Sequence, residues 1–331
     1  MRLCFVGYGS IAEAHAKAFR QIPGIELGWV VGRDPAGTEA FAREWGFGGW
    51  TLDLAEALAA DVDGVVITSP SDLHAAHAEA ALRGGKHALV EIPLATDLAG
   101  AERVAEAARE TRVRVQVAHT QRYYPALAEL RRQIAARELR PHHLVCRWFF
   151  LRRDNVNWKG RRRTWTDNLL WHHGCHVVDA CLWLLSALSP EGALPEAEGV
   201  TAQLGPPHRE LGIPLDLDVQ FRVGEVLVSV AMSYNSAWPV HSYFVIGERG
   251  SLEYNQGKLW DEQGHIYETG QADSILLQDR EWVEAVREGR EPAVSCDSVL
   301  PAMRALAAAE AWTYRELGST NDHRVTTRGT S

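Results

Sequence analysis

The chain has 331 residues, 46% of them hydrophobic and 23% charged, with a formal net charge of −9. That length suits two domains rather than one core, and the acidic balance argues against a general nucleic-acid or membrane-surface binder. No apolar run nears the roughly 20 residues that span a bilayer, and Met1-Arg2 passes straight into Leu3-Cys4-Phe5-Val6 with no room for a signal peptide, so a cytoplasmic protein is expected.

Up to about residue 120, short apolar runs alternate with helical patterns. The runs predict strands over 3–7, 26–31, 64–68, 87–91 and 114–118, and the patterns predict helices over 12–20, 37–45, 54–60, 74–83 and 98–110. Val- and Ile-rich strands alternating with helices read as a parallel sheet covered on both faces. The pattern then changes. A helix over 123–136 and a long strand over 143–151 are followed by an arginine-rich segment and a helix over 169–185. Runs with partial two-residue alternation (200–204, 217–223, 226–232, 242–246 and 252–255) suggest a mainly antiparallel sheet with one face open. Helices over 278–288 and 298–317 close the chain, and the polar residues 318–331 are expected to be disordered. Five cysteines without CxxC spacing predict neither a disulfide framework nor a zinc knuckle, and Cys4, Cys175 and Cys181 read as core fillers.

Gly7-Tyr8-Gly9-Ser10-Ile11-Ala12 joins the first strand to the first helix. Glycines allow the tight turn and the close backbone approach that a pyrophosphate needs, and the helix start supplies free amides, so this is a dinucleotide fingerprint. Such folds choose their cofactor at the end of the second strand, where NAD enzymes carry Asp or Glu. Here the strand ends Val31-Gly32-Arg33-Asp34, with Gly32 at the usual acidic position. Loss of the carboxylate and a guanidinium able to grip a 2′-phosphate predict NADP over NAD. The alternative is that Asp34 performs the acidic role and Arg33 points to solvent.

Ser69-Pro70, His74, Gly85-Lys86-His87 and Glu91-Ile92-Pro93-Leu94-Ala95 resemble the glucose–fructose oxidoreductase/inositol dehydrogenase (Gfo/Idh/MocA) family over roughly residues 1–316. The resemblance implies an α/β fold: an N-terminal Rossmann domain with a doubly wound parallel sheet, here 1–121, and a C-terminal α/β domain with a mainly antiparallel, open-faced sheet, here 122–317. It implies that the open face forms a homodimer or higher homo-oligomer, with helix 298–317 free to pack back on the Rossmann domain. Ser69, Pro70, His74, Glu91, Ile92 and His119 are then expected along the cofactor. One departure stands out: relatives typically carry lysine where this chain has Ile92, so acid–base work must come from elsewhere. A narrower likeness, carried by Phe149–Arg153, Trp165–His173 and Gln278–Glu281, implies NADP-dependent oxidation of a carboxylated cyclic hemiacetal formed in bacterial breakdown of aromatic acids. Gln121 and Tyr124 depart from that narrower pattern.

On an ideal helix His172, His176 and Asp179 share one face, at spacings of four and three, and His173 turns about 100° away. The family places an acid and a histidine at 172 and 176. An imidazole accepts a proton near neutral pH, so His176, or else His172, is the expected base, with Asp179 fixing its tautomer. Paired histidines also suit zinc, but no HExxH glutamate is present and hydride transfer needs no metal, so none is expected. Arg147, Arg152, Arg153, Lys159 and Arg161–Arg163 form a basic island in an acidic protein, suited to an anionic, carboxylated substrate. Arg122 and Arg152 are the expected clamps, with Trp165 and Asp167 beside them. A sugar, inositol or dihydrodiol dehydrogenase is the competing enzymatic reading, and a non-catalytic dinucleotide sensor the competing reading of another class.

Overall fold

The computed structural model describes residues 1–325 except 138, 155–167, 190, 191, 193 and 268–271, with side chains described as far as Thr313. Two compact units result, one formed by residues 1–125 with the described part of 270–300, the other by 126–153, the described part of 168–269, and the chain from 301.

The first unit alternates strand and helix: β1 (Arg2–Val6), α1 (Ser10–Phe19), β2 (Glu26–Val31), α2 (Pro35–Trp45), β3 (Gly49–Thr51), α3 (Leu54–Ala59), β4 (Gly64–Ile67), α4 (His74–Arg83), β5 (His87–Val90), α5 (Leu98–Thr111) and β6 (Val115–Val117). All six strands are parallel, in the order β3-β2-β1-β4-β5-β6. That order reverses between β1 and β4, the switch point where doubly wound sheets take their ligands. Near-continuous burial of β1, β4 and β5 follows from helices covering both faces. The expected Rossmann topology is present, with β3 added as a short edge strand that the apolar pattern did not reveal.

The second unit holds α6 (Pro125–Ala135), β7 (Pro141–Leu151), α7 (Cys175–Leu185), and β8 (Glu198–Leu204) through β9 (Asp216–Val223), β10 (Val226–Ser233), β11 (Asn235–Gly247), β12 (Gly250–Asn255), β13 (Lys258–Asp261) and β14 (Ile266–Tyr267). The sheet order is β14-β13-β12-β11-β7-β10-β9-β8. It is mostly antiparallel, as expected, but β7 lies at its middle and pairs parallel with β10 and antiparallel with β11. Leu144 and Cys146 of β7 are fully buried on one face. On the other, Val145 and Phe149 stay half-buried and Leu151 is exposed.

Two helices depart from the expected boundaries. α8 (Ser274–Glu288), which the sequence assigned to the second domain, belongs to the first unit. Its Trp282 and Val283 are wholly buried among Leu3, Phe5, Phe19, Val66 and Leu89, with Trp282 set edge-on to Phe19 at 5.9 Å. Burial of so large an apolar surface outweighs chain order in fixing membership. α9 (Cys296–Val325) runs past residue 317 into the segment read as a polar tail, and from Pro301 it belongs to the second unit.

Candidate active site

The fingerprint sits where β1 meets α1. Gly7 has φ +106°, and a Cβ there would lie 2.6 Å from the Thr68 carbonyl oxygen, so both backbone conformation and the approach of the chain leaving β4 demand glycine. At Gly9 a Cβ would meet nothing within 4 Å, which leaves an open cradle over the helix start. No side chain caps α1, so its first turn directs amides and the positive end of its dipole at that cradle. Ser10 is buried, and its Oγ has no hydrogen-bond partner among the described residues. An orphaned hydroxyl, an empty cradle and an uncapped helix start fit a pyrophosphate; Gly7, Tyr8, Gly9, Ser10 and Ile11 would hold it.

At the end of β2, Gly32 is enclosed. A Cβ there would fall against Thr38 Oγ1 and within 2.6 Å of Tyr8 Cε1. The customary acidic side chain therefore has no room. Asp34, the alternative acid, caps α2 and accepts from the Gly37 amide at 2.6 Å. Arg33 is exposed and makes no ion pair among the described residues.

The carboxyl ends of β4 and β5 carry the next group. His74, almost wholly buried, sets Nδ1 2.8 Å from the Pro93 carbonyl and Nε2 2.8 Å from the Ser69 carbonyl. Ser69 Oγ meets His77 Nδ1 at 2.9 Å, and burial lowers the His77 pKa. Pro70 opens a short 3-10 turn over Ser71–Leu73. Ile92 is 7% exposed and His119 is buried just beyond β6. Glu91 Oε1 lies 2.8 Å from His15 Nε2, and His15 Nδ1 lies 2.8 Å from Asp279 Oδ2. Burial works against charge on His15, but the Asp279 and then the Glu91 carboxylate outweigh it and raise the ring to about 10. Burial also raises Asp279, with His15 opposing.

In the second unit the histidine segment is not one regular α-helix. Leu170–Gly174 forms a π turn, the α-helix proper starting at Cys175, and Asn168 Oδ1 accepts from the Trp171 amide at 3.0 Å. A π turn holds more residues than an α turn, so the 100° rule fails here and His173 is brought into the group instead of turning away. Its ring lies 4.4 Å from His172, 6.4 Å from His176 and 4.7 Å from Trp148, and Trp148 is 5.6 Å from His176. His173 Nδ1 meets the hydroxyl of the fully buried Tyr234 at 2.5 Å. Burial first, then the neighbouring His172, His176, Arg152 and His241, hold His173 well below its ordinary value, so the ring is neutral at pH 7. His241, opposite Trp148 across β7 and β11, stacks on it at 4.5 Å, and burial lowers it to about 4. Asp179 is buried one turn after Cys175, whose thiol donates to the His172 carbonyl.

The basic island divides. Arg152 lays its guanidinium over the Tyr234 ring at 5.3 Å, with Nη1 3.4 Å from the hydroxyl. Arg153 donates to the Tyr234 carbonyl. Arg147 projects from β7 into an ion pair with Glu253 at 2.7 Å. Arg122 is buried in the first unit with both Nη atoms directed at Ser298, at 3.5 Å to Oγ and 3.3 Å to the carbonyl oxygen. Trp165 and Asp167, like Lys159 and Arg161–Arg163, lie outside the described residues. No cluster of three or more His, Cys, Asp or Glu suited to a metal occurs among the described residues, and no described helix is long and apolar enough to cross a membrane. Four participants escaped sequence reasoning. His173 was misplaced by assuming α geometry; Tyr234 sits at the bend between β10 and β11 and His241 on β11, neither with a local motif; His15 lies inside α1 with no motif of its own.

Residues 1–119 match the Gfo/Idh/MocA description "Oxidoreductase family, NAD-binding Rossmann fold", and residues 125–271 match "Bacterial oxidoreductases, C-terminal". The chain is 35% identical over 317 residues to 4-carboxy-2-hydroxymuconate-6-semialdehyde dehydrogenase of Sphingobium sp. strain SYK-6, covering 94% of this chain and 98% of that one. It is 33% identical to inositol 2-dehydrogenase of Rhizobium meliloti over 134 residues, about 40% of each chain. The WlbA dehydrogenase of Bordetella pertussis, solved with NADH and UDP-GlcNAcA, shares the fold with a TM-score of 0.82 at 19% identity, covering 96% of both chains. The dehydrogenase relative that matches nearly end to end sets aside the dinucleotide-sensing alternative. With its switch-point cradle, its second unit and these relatives taken together, the chain belongs to the Gfo/Idh/MocA family of oxidoreductases, NAD(P)-binding dehydrogenases that act on CH–OH groups.

Proposed function

We propose that the protein is an NADP-dependent dehydrogenase of a carboxylated cyclic hemiacetal, converting that of 4-carboxy-2-hydroxymuconate-6-semialdehyde, or a close relative, to the lactone 2-pyrone-4,6-dicarboxylate. The observation that carries the reading is the second-unit cluster, in which Arg152 lies over Tyr234 and near His173, and the rings of Trp148, Phe150 and His176 border His173. A guanidinium pairs with a carboxylate, aromatic faces suit a planar ring, and histidines accept a hydroxyl proton. The relative named for this substrate supports the same choice because the match spans almost its whole length. The inositol dehydrogenase match covers under half of each chain, and the charge of a guanidinium finds no counter-charge on a neutral polyol.

A bound dinucleotide supplies the hydride acceptor. The carbinol C–H electron pair would pass to that acceptor as hydride while His176 took the O–H proton, leaving the C–O bond as the lactone carbonyl. His176 is the base, with His172 as the alternative and Asp179 fixing the ring. General-base help of this kind contributes about 10²–10⁴-fold. Ile92, in place of the usual lysine, would pack against the nicotinamide end and exclude water. Enclosed Gly32, Asp34 committed to capping α2, and exposed Arg33 support the NADP preference. Arg152, beside Tyr234, and Arg122, beside Ser298, are the assigned substrate clamps. Trp165 and Asp167 keep their assignment as substrate-binding residues on the resemblance alone.

The test is NADPH formation from the ring-cleavage product of protocatechuate, followed by near-ultraviolet absorbance beside myo-inositol and glucose. Turnover confined to the polyols overturns the substrate assignment, and near-normal kcat in both His176→Ala and His172→Ala overturns the base. The half-buried Val145, Phe149 and Phe244 with exposed Leu151 and Ile246 give the open sheet face an apolar surface for a second copy of the chain. A monomer in solution scattering removes that assignment.

A further inference from the structure

The Asp279–His15–Glu91 chain has no part in the proton transfer just described. His15 projects from α1, and both of its ring nitrogens face carboxylates, Nδ1 at 2.8 and 3.0 Å from the two Asp279 oxygens and Nε2 at 2.8 Å from Glu91 Oε1. Carboxylate oxygens only accept, so both nitrogens donate and the ring is an imidazolium. The His15 and Asp279 side chains are wholly buried, and Glu91 is 14% exposed. Desolvating three charges is expensive, and a buried ionic chain rarely outperforms apolar packing in stability. Its geometry suggests another use. Glu91 is the outer member, and its second oxygen accepts from the Ile92 amide at 3.2 Å. On the far side of the same segment, His74 bridges the Pro93 and Ser69 carbonyls. Residues 91–93, leaving β5 at the carboxyl edge of the sheet, are thus held from both flanks.

We propose that His15 is a positioning residue of the dinucleotide site: acting through Glu91, it fixes the 91–93 segment beside the nicotinamide end of the cofactor. The chain's net single negative charge, two carboxylates against one imidazolium, favours the oxidised, cationic ring over the reduced, neutral one. The proposal rests on the reading that this segment borders the nicotinamide. Asp279 acts only at a distance, through His15, and so separates electrostatic positioning from direct contact.

The experiment measures dissociation constants of oxidised and reduced dinucleotide, by calorimetry, for the parent, Asp279→Asn and Glu91→Gln. Asparagine can still accept from His15 Nδ1 while removing one charge, and a unit charge at an effective dielectric of about 20 shifts the oxidised-to-reduced affinity ratio about 3- to 10-fold. The proposal expects that shift, away from the oxidised form, in Asp279→Asn. An unchanged ratio, or equal weakening of both forms, overturns it if Glu91→Gln still alters dinucleotide affinity. If Glu91→Gln alters neither form, the underlying placement of the segment is wrong and the proposal falls with it. Nitrogen-15 NMR of the ligand-free parent is a second readout. Both His15 nitrogens should carry protons at neutral pH, and a singly protonated ring overturns the charge assignment.

Discussion

Replacing Gly32 with aspartate would insert the acidic side chain that NAD enzymes of this topology carry at the end of β2. The space is taken. The new Cβ would press on the fully buried Thr38, whose hydroxyl bonds the Asp34 carbonyl at 2.6 Å, and on the Tyr8 ring 2.6 Å away. Overpacking of this kind costs about 1–3 kcal/mol, or roughly 3–10 °C in Tm for a unit of this size. The carboxylate, forced outward, would also repel a 2′-phosphate. Gly32→Asp should therefore lose NADP without gaining NAD. Arg33→Ser should behave differently, because the side chain it removes is exposed. Its stability should stay within about 0.5 kcal/mol of the parent. Loss of one charge-assisted contact, about 1.5–3 kcal/mol, should lower kcat/KM for NADP about 10- to 100-fold and leave NAD unchanged. Differential scanning fluorimetry and initial rates with each cofactor make the comparison. A Gly32→Asp protein as stable as its parent and selective for NAD refutes the steric reasoning, and an Arg33→Ser protein with unchanged NADP kinetics refutes the phosphate assignment.

His15 also links stability to pH. Its folded value of about 10 exceeds the ordinary 6.5, so its contribution is complete below pH 6.5 and is lost as pH rises through 10. Urea unfolding should show stability falling by up to about 1.4 kcal/mol per pH unit in that window, a slope that a His15→Leu/Asp279→Leu double variant should lack. Gly7→Ala should abolish dinucleotide binding in a fluorescence titration, since the added methyl meets the Thr68 carbonyl; unchanged affinity would contradict the cradle geometry. Tyr234→Phe removes the partner of His173 Nδ1 and should destabilise by about 1–3 kcal/mol, measured by urea unfolding. A loss below about 0.5 kcal/mol would mean that the pair is not formed.

Much of the first unit was legible because its signals are local. The period of apolar runs located five of its six strands, and Gly7-Tyr8-Gly9 announced the turn on which the cradle depends. β3 escaped because three edge residues leave no measurable period. The second unit hid more. Its hairpins are marked by turns such as Gly224-Glu225, but the parallel pairing of β7 with β10 joins residues far apart in the chain and has no short-range signature. The histidine group shows the same limit. Spacing identified His172, His176 and Asp179, whereas a single π turn brought His173 to its tyrosine and no window of sequence distinguishes that turn from regular helix. α8 was assigned by chain order, and only tertiary burial returned it to its sheet.

That return of α8 bears on how the protein is made. Trp282 plugs the hydrophobic interior beneath α1, yet a ribosome delivers it only after the whole open-faced sheet has been synthesised. The nascent N-terminal half must wait with a gap in its interior, and a fragment cut at residue 121 would expose Phe19 and its neighbours to solvent. Such a fragment should aggregate instead of serving as a free-standing nucleotide-binding module, and co-expressing the α8 segment as a separate peptide should rescue it.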